Sequence, residues 1–207
     1  AYDNGFYLED SIEVKKQLEQ IPSIVTEEEI VNRKDLREEE IFTIDGSDTK
    51  DIDDAISIKK EANGNYILGV HIADVSHYVT EGSIIDREAE KRATSVYLVD
   101  RTIPMLPERL CNFICSLRPN EDKLAYSAIF DIDDEGNIRS YRIVHTIIRS
   151  NRRYAYEEAQ QVLEDNGVID GTGQPAPNPG KKGFKHEFGW EICTLDHLAK
   201  KLREKRF

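Results

Sequence analysis

The stretch Thr43–Ala55, TIDGSDTKDIDDA, contains Asp45, Asp48, Asp51, Asp53 and Asp54 against a single base, Lys50. Asp51, Asp53 and Asp54 fall within four positions. Carboxylates this crowded repel one another and resist ionising together. A hard divalent cation removes that repulsion. Magnesium and manganese prefer oxygen ligands, and magnesium commonly combines a few carboxylates with water and phosphate oxygens. Paired metals ~4 Å apart activate a water and stabilise the leaving oxygen of a phosphodiester. Hydrolysis of a nucleic acid is the reaction that most directly uses such a cluster. The plainer alternative is a solvated acidic loop, and spacing alone leaves both open. An EF-hand calcium loop fits poorly, because the required sixth-position Gly and closing Glu are absent. A second acidic run, DIDDEGN at 131–137, has Gly136 in the sixth position but Arg142 in the twelfth, so a hairpin turn is expected.

The flanks of the first run are apolar. IFTID (41–45), AISIKK (55–60) and YILGVHIAD (66–74) read as strands, the last two joined by EANGN, whose Asn63-Gly64 suits a tight turn. Asp45 is then expected at a strand end, with Asp51, Asp53 and Asp54 returning over it so that three or four carboxylates converge. Before this core, 11–21 reads as a helix capped by Ser11 and stopped by Pro22. Thr26–Glu29 has capping-box spacing for a second short helix, and the charged NRKDLREEE reads as a linker, with a boundary near residue 40. After it come a helix from Ser83 to about Thr94, a short helix over 107–114, long strands over 124–132 and 140–148, a helix over 154–166, a Gly/Pro-rich loop over 171–183 and a final helix from about Glu187. The pattern is α+β, with mixed or antiparallel strands and flanking helices.

The net charge of −12 over 207 residues argues against a generic basic nucleic-acid coat. The distribution is uneven, however: 139–153 holds five arginines and no acid. An anionic polymer could use both regions if cations sit on the aspartates. No apolar run approaches the roughly 20 residues a membrane helix needs. No secretory signal is visible, so a cytoplasmic protein without a membrane partner is expected. Cys111, Cys115 and Cys193 form no disulfide framework, and the first two are expected as buried or half-buried thiols.

At the aspartates the chain resembles the RNase II / RNase R family of processive 3'→5' exoribonucleases. TIDGSDTKDIDDA resembles the active-site signature, and VHIADVSHYV (70–79), GSIIDREAEKRATSVYL (82–98), IPMLPERL (103–110) and CSLRPNEDKLA (115–125) follow in the family's order. GSD and HYV look closer to the RNase R branch. The resemblance, over residues 26–170, implies an RNB catalytic domain in which single-stranded RNA is threaded to a magnesium (or manganese) site and released as nucleoside 5'-monophosphates. It implies metal ligation by Asp45, Asp51 and Asp54, and makes Asp53 the carboxylate on which catalysis most depends. It makes Tyr156 a base-stacking residue, although by residue type alone a tyrosine at a helix start is more often core. Arg152 and Arg153, beside it, become candidates for RNA backbone contacts. Asp48 also matches an acid of the branch and is not taken as a ligand.

The resemblance further implies that residues 1–40 are the tail of a preceding RNA-binding domain with its linker, and that 41–207 is the N-terminal portion of the catalytic domain. The family's cold-shock and S1 domains and the second half of the catalytic domain are not matched, so the chain alone is expected to have little activity. Two other readings stay open. One is a non-catalytic RNA-binding piece. The other is a different magnesium-dependent phosphoryl-transfer enzyme, which would want Asp-x-Asp directly after the strand where Gly46-Ser47 stand. His71, Asp74 and His77 could hold zinc on a helix; in a strand running into a turn they are expected to be structural.

Overall fold

The computed structural model describes residues 9–99, 101–168 and 183–206. Among the described residues, six α-helices, α1 (Ile12–Glu19), α2 (Glu27–Ile30), α3 (Val75–Tyr78), α4 (Ile84–Arg92), α5 (Tyr156–Asp165) and α6 (Gly189–Arg206), accompany nine strands. The strands are β1 (Lys34–Asp35), β2 (Ile41–Asp45), β3 (Asp54–Lys60), β4 (Tyr66–Ala73), β5 (Val96–Tyr97), β6 (Thr102–Ile103), β7 (Asp122–Ile132), β8 (Ile138–Arg149) and β9 (Arg152–Ala155). Seven form one mixed sheet in the order β1-β8-β7-β4-β3-β2-β9, and β5 and β6 form a separate hairpin. The β1–β8 and β2–β9 pairs are parallel and the others antiparallel.

Strand alternation gives the sheet two covered faces. Ile41, Ala55, Ala73 and Ile129 enter a core shared with Val14 and Leu18 of α1 and Ile85 of α4. Phe42 and Tyr154 pack with Ala159 and Val162 of α5 and Ile192 of α6, while Ile58, Tyr66 and Ile132 pack on Leu198. Ile41 and Phe42, adjacent and fully buried, therefore fasten β2 from both sides. Each side chain contributes ~1.5–3 kcal/mol of transfer free energy.

The helix starts follow their caps. Ser11 accepts from Val14 N at 3.2 Å, and Ser83 from Asp86 N at 3.1 Å. At the start of α2, Glu29 accepts from Thr26 N at 2.7 Å. Gly64, at φ 92°, closes the turn between β3 and β4. The run at 131–137 closes the β7–β8 hairpin through Asp133 N to Asn137 O at 3.1 Å.

Several elements differ from the sequence reading. Residues 32–40 are not a free linker. Lys34 and Asp35 pair with Thr146 and Ile147, Leu36 is buried, and Arg33 is bound at 2.7 Å to the fully buried Asp74. The segment therefore folds with the sheet. The helix expected over 154–166 begins at Tyr156, because Arg152–Ala155 is a strand running beside β2. The short helix over 107–114 becomes a π-helical segment at Leu110–Ile114. The Gly/Pro-rich loop lies, apart from Gly183, outside the described residues. Among the described residues, no helix is long and apolar enough to cross a membrane.

Candidate active site

Asp45 ends β2 and Asp54 begins β3, so the acid loop spans Gly46–Asp53. Ile52, the last residue of the loop but one, is buried in the first core, which turns its neighbours Asp51 and Asp53 away from the interior. The loop's backbone is held at several points. Ser116 Oγ donates to Lys50 O at 2.8 Å and accepts from Ile52 N at 3.1 Å. Leu117 N donates to Ile52 O at 2.9 Å, and Ala73 N to Asp53 O at 2.9 Å. Arg153 Nη2 donates to Gly46 O at 2.7 Å and to Ser47 O at 3.0 Å.

The carboxyls of this loop are under-compensated: the nearby Arg153 favours the ionised Asp45 but is outweighed. Asp45 is pushed above the ordinary carboxylate range, first by desolvation and then by Asp54. Its Oδ2 is buried without a hydrogen-bond partner, as is Thr43 Oγ1 two residues earlier. The Thr43 hydroxyl lies near enough to favour the carboxylate but completes no hydrogen bond to it. The Asp53 side chain reaches solvent, yet crowding by packed atoms, and then Asp51, Asp54 and Asp45 in turn, push it upward too. Four carboxylates thus share one electrostatic neighbourhood.

They do not close on one point. Among the described residues no three His, Cys, Asp or Glu side chains come together closely enough to share a metal ion. The expected convergence is therefore looser than the sequence reading had it, because the core anchor at Ile52 and the backbone clamps fix where each carboxylate emerges. The donor set still fits a hard cation. Magnesium typically uses only one or two carboxylates, with water and substrate phosphates completing its octahedron, and the orphaned Asp45 Oδ2 is an acceptor without a donor.

The β5–β6 hairpin stands over the loop. Tyr97 Oη donates to Asp51 Oδ2 at 3.3 Å, and a cleft of ≈ 470 Å³ between hairpin and loop is lined by Asp48, Asp51, Tyr97, Cys111 and Asn112. Tyr97 was not singled out from sequence; its only signal was a place in the SVYL block. Cys111 is half-buried, with its thiol pushed up to about 11 by burial, and Cys115 is buried. A smaller cavity of ≈ 240 Å³, lined by Lys34, Ser57, Gly69 and Arg142, contains none of the clustered acids.

The residues expected to meet RNA lie at the same edge of the sheet. Ala155 of β9 is the register partner of Asp45, and Tyr156 follows it as the first residue of α5, 61% exposed. A core role for Tyr156 is excluded; the core aromatic is Tyr154. Arg152 stacks over the Tyr154 ring at 4.2 Å and donates to Glu187 at 3.0 Å. The Nη2 of Arg153 is committed to the loop carbonyls, so this side chain orders the acids from behind. His71 stands apart from Asp74 and His77, which share Arg33: its Nη2 lies 2.7 Å from Asp74 Oδ2 and 3.3 Å from His77 Nδ1. His71 bridges Ser57 (3.0 Å) and Ser127 (2.8 Å), and His77 meets Glu29 at 2.9 Å. They are structural, as expected.

Comparison with known proteins agrees with this architecture. The RNB domain profile matches residues 33–207. The chain belongs to the RNB domain family. Over 153 residues it is 54% identical to Ribonuclease R of Thermotoga maritima, covering 74% of the chain and 22% of that protein. Over 215 residues it is 42% identical to DIS3-like exonuclease 2 of Schizosaccharomyces pombe, covering 100% of the chain and 23% of that protein. In structure it is similar to Mycoplasma genitalium RNase R in complex with ribose methylated single-stranded RNA, with a TM-score of 0.80 and 28% identity, covering 99% of the chain and 30% of that protein. The chain therefore spans less than a third of the length of these RNB proteins.

Proposed function

We propose that the chain carries the acidic half of an RNA-hydrolysing site, and that the whole protein is a processive 3'→5' exoribonuclease releasing nucleoside 5'-monophosphates from single-stranded RNA. The observation that carries this reading is the cluster of Asp45, Asp51, Asp53 and Asp54, mutually repelling and only partly offset by Arg153, at a sheet edge shared with exposed Tyr156. The similarity to RNase R supports the substrate class. In this reading Asp45, Asp51 and Asp54 would hold magnesium or manganese with one or two carboxylates on each ion, and the ion when bound would lower the pKa of a water and neutralise phosphate charge.

The chain's own groups do the rest. Asp53, solvent-open and raised, accepts a hydrogen bond from the attacking water and holds it in line. Tyr156 offers a ring face to a base of the 3' segment. Tyr97 fixes the Asp51 carboxylate through its hydroxyl. Arg152, stacked on Tyr154 and paired with Glu187, meets the RNA backbone by exchanging Glu187 for a phosphate. The chain alone releases little product, because the face opposite the acids comes from outside it. The proposed setting is the cytoplasm.

Asp53→Asn in the full-length protein tests this reading. Cleavage of single-stranded RNA in magnesium is expected to disappear while RNA binding persists. Surviving cleavage would show that the site is wrongly placed. Robust mononucleotide release by the 207-residue chain would refute its dependence on the rest of the protein.

A further inference from the structure

The acids sit on a loop whose backbone is tied down at both ends, at Gly46 and Ser47 and again from Lys50 to Asp53. Ser116 is completely buried, and its single hydroxyl grips both sides of Asp51: it donates to Lys50 O and accepts from Ile52 N. At the other end, Arg153 Nη2 grips Gly46 O and Ser47 O directly after Asp45. The grips fall within the run that carries Asp45, Asp48, Asp51, Asp53 and Asp54, whose mutual repulsion favours a splayed chain. Within the loop, Thr49 N also donates to Gly46 O at 3.1 Å, but the side-chain grips are distant in sequence: Ser116 and Arg153 arrive from 64 and 106 residues away.

Resting on the reading of the acids as a cation site, we infer that Ser116 and Arg153 are positioning residues that hold the loop in its cation-accepting form before the cation arrives. Fixing a backbone costs conformational entropy. A loop already fixed spares the incoming ion that cost, whereas a loose one charges it against affinity. Outer-shell partners of metal ligands act in this way, and their loss weakens metal binding roughly 10–100-fold. Serine suits its place because one small hydroxyl both donates and accepts. Alanine leaves the buried Ile52 N unpaired and removes the donor to Lys50 O, while threonine keeps the hydroxyl.

The test titrates Mn2+ alone into the 207-residue chain, read by the loss of free-ion EPR signal, for the parent, Ser116→Ala, Ser116→Thr and Arg153→Met. Amide exchange over residues 46–53 is followed in parallel. The expected result is roughly 10–100-fold weaker Mn2+ binding in Ser116→Ala and Arg153→Met, most of it recovered in Ser116→Thr. Exchange should accelerate at 46–53 and stay slow across β7 and β8. Unchanged Mn2+ affinity in folded Ser116→Ala and Arg153→Met would overturn the inference, as would acceleration spread over the whole sheet. Should Ser116→Ala not fold, the partly exposed Arg153→Met decides. If the parent itself binds no Mn2+, the cation reading fails, and the exchange data alone judge the clamp.

Discussion

The chain has two aspartate-rich runs of similar composition and opposite electrostatics. In the hairpin at 131–137, every acid is answered. Asp133 accepts from the backbone of Glu135 and Asn137, from the Asn137 amide and from Arg139. Asp134 accepts from Tyr66 Oη at 2.8 Å, and Asp131 from Asn65 Nδ2 at 2.7 Å. The Asn137 contacts first, then Arg139, hold the Asp133 carboxyl down to about 2. In the loop at 45–54, Asp45 and Asp53 are pushed the other way, and one buried oxygen has no partner. Density of acid is therefore no mark of a site. The fold satisfies one acidic run completely and leaves the other short of donors, and the second is the run we propose as the ligand site.

The difference is broken most severely at Asp53. Asp53→Asn in the full-length protein is expected to lower RNA cleavage by about 10²–10⁴-fold, whereas Asp133→Asn leaves it unchanged; a cleavage assay on single-stranded RNA reads both. The next effect makes a satisfied acid unsatisfied. Asp74, fully buried, is held below the ordinary range despite desolvation because Arg33, His145 and Ser76 bind it. Arg33→Met strands that charge and is expected to cost about 3–5 kcal/mol in urea unfolding.

Third is a pH effect from His71, lowered to about 4 by burial between Ser57 and Ser127. Its folded pKa lies below its unfolded value, so between pH ~6.5 and 4 only the unfolded state takes the proton and stability falls as pH falls, by about 3 kcal/mol in total. Asp74 adds to this loss below the ordinary carboxylate range, because its folded pKa is depressed. His71→Gln should flatten the stability curve between those limits. The smallest effect is expected from Tyr97→Phe, which removes one exposed donor to Asp51 and should change Mn2+ affinity less than about tenfold.

Much of this was legible in the residues. Alternation marked β3 and β4, Asn63-Gly64 marked the turn between them, and Ser11 and Ser83 marked helix starts, because each signal is local. The acid loop was legible because its flanks are apolar on both sides. β9 was missed: RRYA is polar by composition and becomes a strand only through its pairing with β2. The role of Lys34–Asp35 was hidden for the same reason, since its partner lies on β8. Ser116 was a letter in a motif block until the fold brought it under Asp51. Arg153 looked like an RNA contact because its charge was visible and its carbonyl partners were not.

The central claim is that the loop at 45–54 is short of positive charge that a divalent cation supplies. The most direct measurement is the thermal stability of the 207-residue chain against MgCl2 or MnCl2 at constant ionic strength, for the parent and for Asp45→Asn/Asp53→Asn. A ligand at a hundred times its Kd stabilises by about 2.7 kcal/mol, a Tm rise of roughly 5–10 °C for a chain of this size. The account predicts that rise in the parent and its loss in the double variant, with Asp133→Asn behaving like the parent. A parent whose Tm ignores both metals, or a double variant that keeps the full rise, would contradict it.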